Sequence, residues 1–180
     1  MRLPYLISFS VAFALLSLAA NHSVSAQIKP DGTTATQVTG NTISPIGAGT
    51  VSGANLFHSF DKFNVPASGV VFGVGNSTVN GAAISNIINR VTGGTFSSIL
   101  GLIESRQAFP NANFYLLNPN GIIFGANARL DLGGSFNAST GTGLGFDRDR
   151  VFNVDRSLTF PSGDPNAIRF GVAQPAGAIN

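Results

Sequence analysis

Eight carboxylates, a single histidine beyond residue 26 and no cysteine are the groups from which this 180-residue chain could build chemistry. The acids are Asp31, Asp61, Glu104, Asp131, Asp147, Asp149, Asp155 and Asp164. They are scattered, and most stand beside turn residues, where an Asp side chain turns or caps the backbone. Acid–base hydrolysis needs two of them held as a pair, and nothing in their spacing sets one up. With His58 alone and no Cys, neither a His/Cys metal site nor a thiolate nucleophile can be assembled within one chain. A serine nucleophile would have to recruit His58, yet no G-x-S-x-G elbow is present. GTGLG at 141–145 lacks the last glycine of a dinucleotide fingerprint and has no helix after it, so it reads as a flexible loop. Asp147-Arg148-Asp149-Arg150 alternates in sign and reads as a solvated corner. No catalytic residue, metal, cofactor or small-molecule substrate follows from these residues.

The densest local signal is of another kind. In NANFYLLNPNGIIFGANARLDLGG two apolar runs flank Asn118-Pro119-Asn120-Gly121. A type I turn favours Asn first, Pro second and Gly fourth, and this tetrapeptide meets all three preferences. The runs on either side are too short for helices and are bounded by Gly and Asn, so they read as short buried strands.

The elements that hold this turn follow from composition. Residues 1–26 combine Arg2, an apolar run from Leu6 to Ala20 and small residues Val24 and Ala26 before Gln27, the pattern of a secretory signal peptide cut between Ala26 and Gln27. The domain proper is then 27–180. Its basic and acidic residues nearly balance, so the high pI signals no basic patch for nucleic acid. Charged residues are 10% of the chain, against about 25% in ordinary globular proteins, so Asn, Ser, Thr and Gly must cover much of the surface. An exported chain without Cys has no disulfide to fix its fold, and none to lock it folded during export.

Short apolar runs recur between Gly and Asn clusters: NLFHSFDKFNV, GVVFGVG, AISNIINRVTGG, FSSILGLIE, NFYLLN, GIIFG and ARLDLGG. SSILGLIES comes nearest to a helix, but Gly101 and the preceding Ser and Thr favour a strand. The class is therefore all-β. From Phe114 onward the expected strand centres fall near 115, 123, 130 and 137, with corners at NPNG, GAN and GGS. This spacing is tighter than a hairpin sandwich prefers and suits the rungs of a parallel β-helix, although no strict period separates the two. In either architecture most of the 15 Phe are core.

From Gln27 onward the chain resembles the amino-terminal secretion (haemagglutination activity) domain of filamentous haemagglutinin-like two-partner secretion exoproteins of Gram-negative bacteria. The matching blocks are QIKPDGT, NLFHSFDKFNV at 55–65, INRVTGG at 88–94 and NFYLLNPNGIIFGANARLDLGGSFNAST at 113–140, in that order. Some members carry a further NPNL turn upstream. Here that region reads AAISNIINRVTGG, and no role is transferred onto it.

The resemblance implies a right-handed, single-stranded parallel β-helix (a β-solenoid) with an N-terminal cap. It also implies a non-enzymatic secretion signal that meets the general secretory export machinery and then an outer-membrane barrel transporter with periplasmic polypeptide-binding domains. The protein would end secreted or displayed on the cell surface. Asn118, Pro119, Asn120, Gly121 and Ile122 become the segment needed for transporter recognition or for the fold. In NLFHSFDKFNV, Phe57, Phe60 and Phe63 are expected in the core, while His58 and Asn64 are expected at corners, as hydrogen-bonders rather than contacts. The alternative is a β-helical carbohydrate-binding protein or polysaccharide-active enzyme, which would need clustered acids or an aromatic platform. The chain has no Trp and only Tyr5 and Tyr115. The final segment, AIRFGVAQPAGAIN, reads as a strand over Ile168 to Val172, a turn, and the start of another strand at Ala178 to Asn180. It offers no cap, so the chain is expected to be the first piece of a longer exoprotein or a shortened relic of one.

Overall fold

The computed structural model describes residues 28–39, 44–75, 79–171 and 179. The expected signal peptide and its Ala26–Gln27 junction lie outside the described residues. Sixteen short strands carry the fold: β1 (Ile28–Pro30), β2 (Thr36–Val38), β3 (Ser44–Ala48), β4 (Thr50–Ser52), β5 (Asn55–Phe63), β6 (Val70–Phe72), β7 (Asn86–Val91), β8 (Ser97–Ile99), β9 (Leu102–Glu104), β10 (Asn113–Leu117), β11 (Ile122–Phe124), β12 (Arg129–Asp131), β13 (Phe136–Ser139), β14 (Gly143–Gly145), β15 (Val151–Asn153) and β16 (Ala167–Arg169). No α-helix occurs among the described residues.

The strands are dealt out in rotation. The first sheet takes β5, β7, β10 and β13 as parallel neighbours. The second takes β3, β6, β9 and β12, also in parallel. The third pairs β8 with β11, extended by parallel bridges from Val65 to Ile99 and from Ile122 to Ile179. Each circuit of the chain thus adds a strand to one sheet after another, which is how parallel pairing is reached here without crossover helices. The expected strands around NPNG are all present, as β10 to β13. SSILGLIES is strand, as expected, but is two strands, β8 and β9, divided by a corner at Leu100-Gly101. A Cβ on Gly101 would stand 2.3 Å from the carbonyl oxygen of Pro66 on the preceding circuit, so the corner stacks only with glycine.

At its start the stack is closed by antiparallel strands. β1 and β4 pair with different halves of the free edge of β5, and β2 pairs with β3. This removes the edge that would otherwise invite pairing with another chain.

Inside the circuits lies a core of Leu56, Phe60, Phe63, Phe72, Ile87, Ile99, Ile103, Phe114, Leu116 and Ile122, among others. Because β-strand side chains alternate, the opposite face of the first sheet presents Phe57, Ile88 and Leu117. These are buried by Leu144, Phe146 and Phe152, which arrive after the chain leaves the stack at β13. There β14 pairs antiparallel with both β15 and β16 in a small fourth sheet. The expectation of a flexible loop at GTGLG is therefore corrected: β14 is a buried strand paired on both edges. Its glycines serve close packing rather than mobility, since a Cβ on Gly143 would meet Asn153 Oδ1 at 2.6 Å. Asp147, Arg148 and Asp149 form the exposed corner expected of them. The strand expected over Ile168 to Val172 is shorter and earlier: β16 spans Ala167–Arg169, Phe170 and Gly171 are not strand, and Val172 lies outside the described residues.

Candidate functional site

The corner between β10 and β11 is built by NPNG as its preferences require. The Gly121 amide donates to the Asn118 carbonyl at 3.0 Å, and Asn118 Oδ1 accepts from the Asn120 amide at 3.0 Å. Asn120 is not in the left-handed region, consistent with a type I turn, while Gly121 has φ 112°. Asn118 is fully buried, and its Nδ2 donates to the Thr95 carbonyl at 3.1 Å and to Ser97 Oγ at 2.9 Å. Asn120 Nδ2 donates to the Gly93 carbonyl at 2.8 Å. The corner is thus stapled onto its counterpart, residues 92–96, on the preceding circuit. Pro119, Gly121 and Ile122 are buried as well, so Asn120 is the one exposed member of the five.

Beside this corner runs a groove of about 440 Å³, floored by Val91 to Gly94 with Pro119 and Asn120, and walled by Thr142 and Asn153 to Asp155. It holds no cluster of His, Cys and acidic side chains, and no such cluster exists among the described residues.

The second set of expected residues divides. Phe57, Phe60 and Phe63 are core, as expected, although Phe57 faces the outer cluster rather than the inner one. Asn64 is a corner residue whose Oδ1 accepts from the Ser98 amide at 2.9 Å. His58 is not at a corner. It lies in the middle of β5, fully buried on the inner face, edge-on to Phe72 at 5.5 Å between ring centroids. The alternation from Leu56 through His58 to Phe60 sends it inward. Its Nδ1 pairs with Thr36 Oγ1 at 3.0 Å, and Nε2 has no partner. Burial alone pulls its pKa down from 6.5 to about 3, so the ring is neutral.

Two features escaped sequence reading. Asn55, Asn86 and Asn113 stand in register at the starts of β5, β7 and β10, and their amides form a ladder: Asn86 Nδ2 donates to Asn55 Oδ1 at 2.9 Å and Asn113 Nδ2 to Asn86 Oδ1 at 3.2 Å. The signal was available, since NLFH, NIIN and NFYL each open with Asn. Asn55 Nδ2 closes the ladder on the carbonyls of Pro161 and Gly163. The other feature is Arg90, fully buried on β7. Its guanidinium donates to Ser59 Oγ at 2.7 Å, to Thr33 Oγ1 at 2.9 Å and to the Asn153 carbonyl, and lies 4.3 Å from the Phe152 ring centroid. Burial lowers its pKa, opposed by the charges of Asp31 and Asp155. No sequence pattern marks an arginine for such a place.

These features build the walls, corners and ladders of the stack. No curated protein matches the chain. Among solved structures it is similar to the filamentous hemagglutinin secretion domain, with a TM-score of 0.53 and 25% sequence identity over 69% of this chain and 45% of that one. The family model for the TPS secretion domain matches residues 26–166. With that match spanning most of the sequence, the chain belongs to the TPS secretion domain family, the amino-terminal secretion domains of two-partner secretion exoproteins.

Proposed function

We propose that this domain is the non-enzymatic export signal of its exoprotein, read by a cognate outer-membrane barrel transporter while the chain is extended, and that it then folds at the cell surface as a capped, right-handed parallel β-helix. One observation carries the reading: of Asn118 to Ile122, only Asn120 is exposed once the corner has formed. A partner that recognises this segment through its side chains must meet it before folding. Periplasmic polypeptide-binding domains of the transporter can do so by pairing an extended strand with a sheet edge, with side chains on alternate positions conferring specificity. Residues 1–26 act earlier, as a signal peptide for the general secretory machinery, with cleavage after Ala26.

The direct test is export with and without the transporter. In cells lacking it the protein is expected to stay in the periplasm, and equal amounts outside the two kinds of cell would reject the reading.

Passage of an unfolded chain makes a second demand. An outer membrane offers no ATP to unfold a domain, and a barrel of modest strand number is narrow. Ser98 and Ile123 are partners on the neighbouring parallel strands β8 and β11, with Ile123 exposed. Replacing both by Cys is expected to stop export under oxidising conditions and to restore it on adding reductant. Quantitative export of chains with the cross-link confirmed by mass spectrometry would show that a closed loop passes.

A further inference from the structure

We propose that residues 143–164 lock the amino-terminal cap from the far end of the sequence, acting through the buried guanidinium of Arg90. The two segments lie at opposite ends of the described chain, and neither pairs with the other in any sheet. What joins them is polar and lies on the outer face of the first sheet. On the cap side, Asp31 follows β1, and its carboxylate accepts from Thr33 N and Oγ1 at 2.9 and 2.7 Å, from Ser59 Oγ at 2.6 Å and from Thr92 Oγ1 at 2.8 Å. Arg90 sits against that cluster, donating to both Ser59 and Thr33. On the late side it meets the Asn153 carbonyl and the face of Phe152. Arg156 repeats the link at the rim, reaching Thr92 Oγ1 at 3.2 Å and Asp61 at 3.2 Å, and Asp61 also holds Lys29 of β1 at 3.0 Å.

The reason this amounts to a lock is the desolvation of a permanent charge. An arginine keeps its proton in a protein, so it must be solvated by water or by protein dipoles. When residues 143–164 are docked, Phe152 and the Asn153 carbonyl complete its shell and exclude water. The guanidinium is then committed to Ser59 and Thr33, which orders the Asp31 cluster and with it the path of β1. When the late segment is absent, water takes its place, and those contacts become exposed hydrogen bonds of little net value. The cap is therefore set only once Phe152 and Asn153 are in place against Arg90.

Amide hydrogen exchange on the full folded chain tests this. The reporters are Asp31 N, bonded to the Ser59 carbonyl at 3.2 Å, for the cap; Phe146 N, bonded to the Arg150 carbonyl at 2.8 Å, for the late segment; and Gly125 N, bonded to the Ile99 carbonyl at 2.8 Å, as a reference remote from both. Phe152→Ala is expected to speed exchange at Asp31 by tenfold or more while Gly125 changes less than twofold. Asp31→Asn is expected to do the same to Phe146, because coupling between two sites is reciprocal. In an Arg90→Met background the effect of Phe152→Ala should be confined to residues 143–164. Native exchange at Asp31 in Phe152→Ala, or equal acceleration of Gly125, would overturn the proposal. If Arg90→Met fails to fold, the other two substitutions still decide it.

Discussion

Acidifying the folded domain from pH 7 to pH 4.5 is expected to cost about 2 kcal/mol of stability through His58. The buried ring titrates at about 3, against 6.5 when exposed. Below pH 6.5 the unfolded chain therefore binds a proton that the folded chain refuses. Stability is present in full above 6.5 and falls by about 1.4 kcal/mol per unit as pH drops toward 3, below which the term is constant. Asp31 acts in a different window. Its carboxylate, opposed by burial but favoured by hydrogen bonds from Ser59, Thr33 and Thr92, is held below its usual 3.8, so its contribution is lost only at lower pH. Urea unfolding at pH 7.0 and 4.5 isolates the histidine. His58→Leu should abolish most of the difference, because Nε2 has no partner to lose and Thr36 Oγ1 retains Thr34 Oγ1 at 2.7 Å. An unchanged pH dependence in His58→Leu would place the acid sensitivity elsewhere.

Asn118→Ala is expected to cost about 3 kcal/mol, because it leaves the buried Ser97 hydroxyl without its donor and removes the side-chain acceptor that holds the Asn120 amide. Asn118→Asp separates shape from donor chemistry. It keeps an oxygen for the Asn120 amide, but turns a second one toward the Thr95 carbonyl, an acceptor, in a fully buried place. At pH 7 it should therefore be at least as unstable as Ala. As pH falls it should regain stability, since a protonated carboxyl can donate where the carboxylate cannot; a buried, acceptor-facing carboxyl titrates above its unfolded value. Export assays on the same variants add the functional reading. A variant that is destabilised yet exported at the normal rate would mean that Asn118 serves the fold alone, and one that is unexported would need its extended chain tested for transporter binding.

Much of this molecule was legible in the order of its residues because the relevant physics is local. Asn, Pro and Gly have backbone preferences that act over four residues, so NPNG announces its turn and type without reference to the rest. The short apolar runs bounded by Gly and Asn declare strands for the same reason, and their close spacing beyond Phe114 already favoured short circuits over long hairpins. Asn64, in the same family block, is at the corner expected of it. The family itself was carried by blocks such as NFYLLNPNGIIFGANARLDLGG, whose match needs order and identity but no coordinates.

What only the tertiary structure decided concerns groups whose environment comes from distant segments. The family block NLFHSFDKFNV leads one to expect His58 at a corner, as a hydrogen-bonder. The alternation of β5 and the arrival of Thr36 and Phe72 from other circuits put it inside instead. GTGLG has the composition of a loop, yet β15 and β16 hydrogen-bond to both of its edges, and its glycines let those strands approach. Arg90 is an ordinary charged residue in INRVTGG until Thr33, Ser59, Phe152 and Asn153 converge on it. A local preference is worth a few tenths to about one kcal/mol and can be read residue by residue. The burial of a charge or an imidazole is set by whichever surfaces close over it, and that closure exists only in three dimensions.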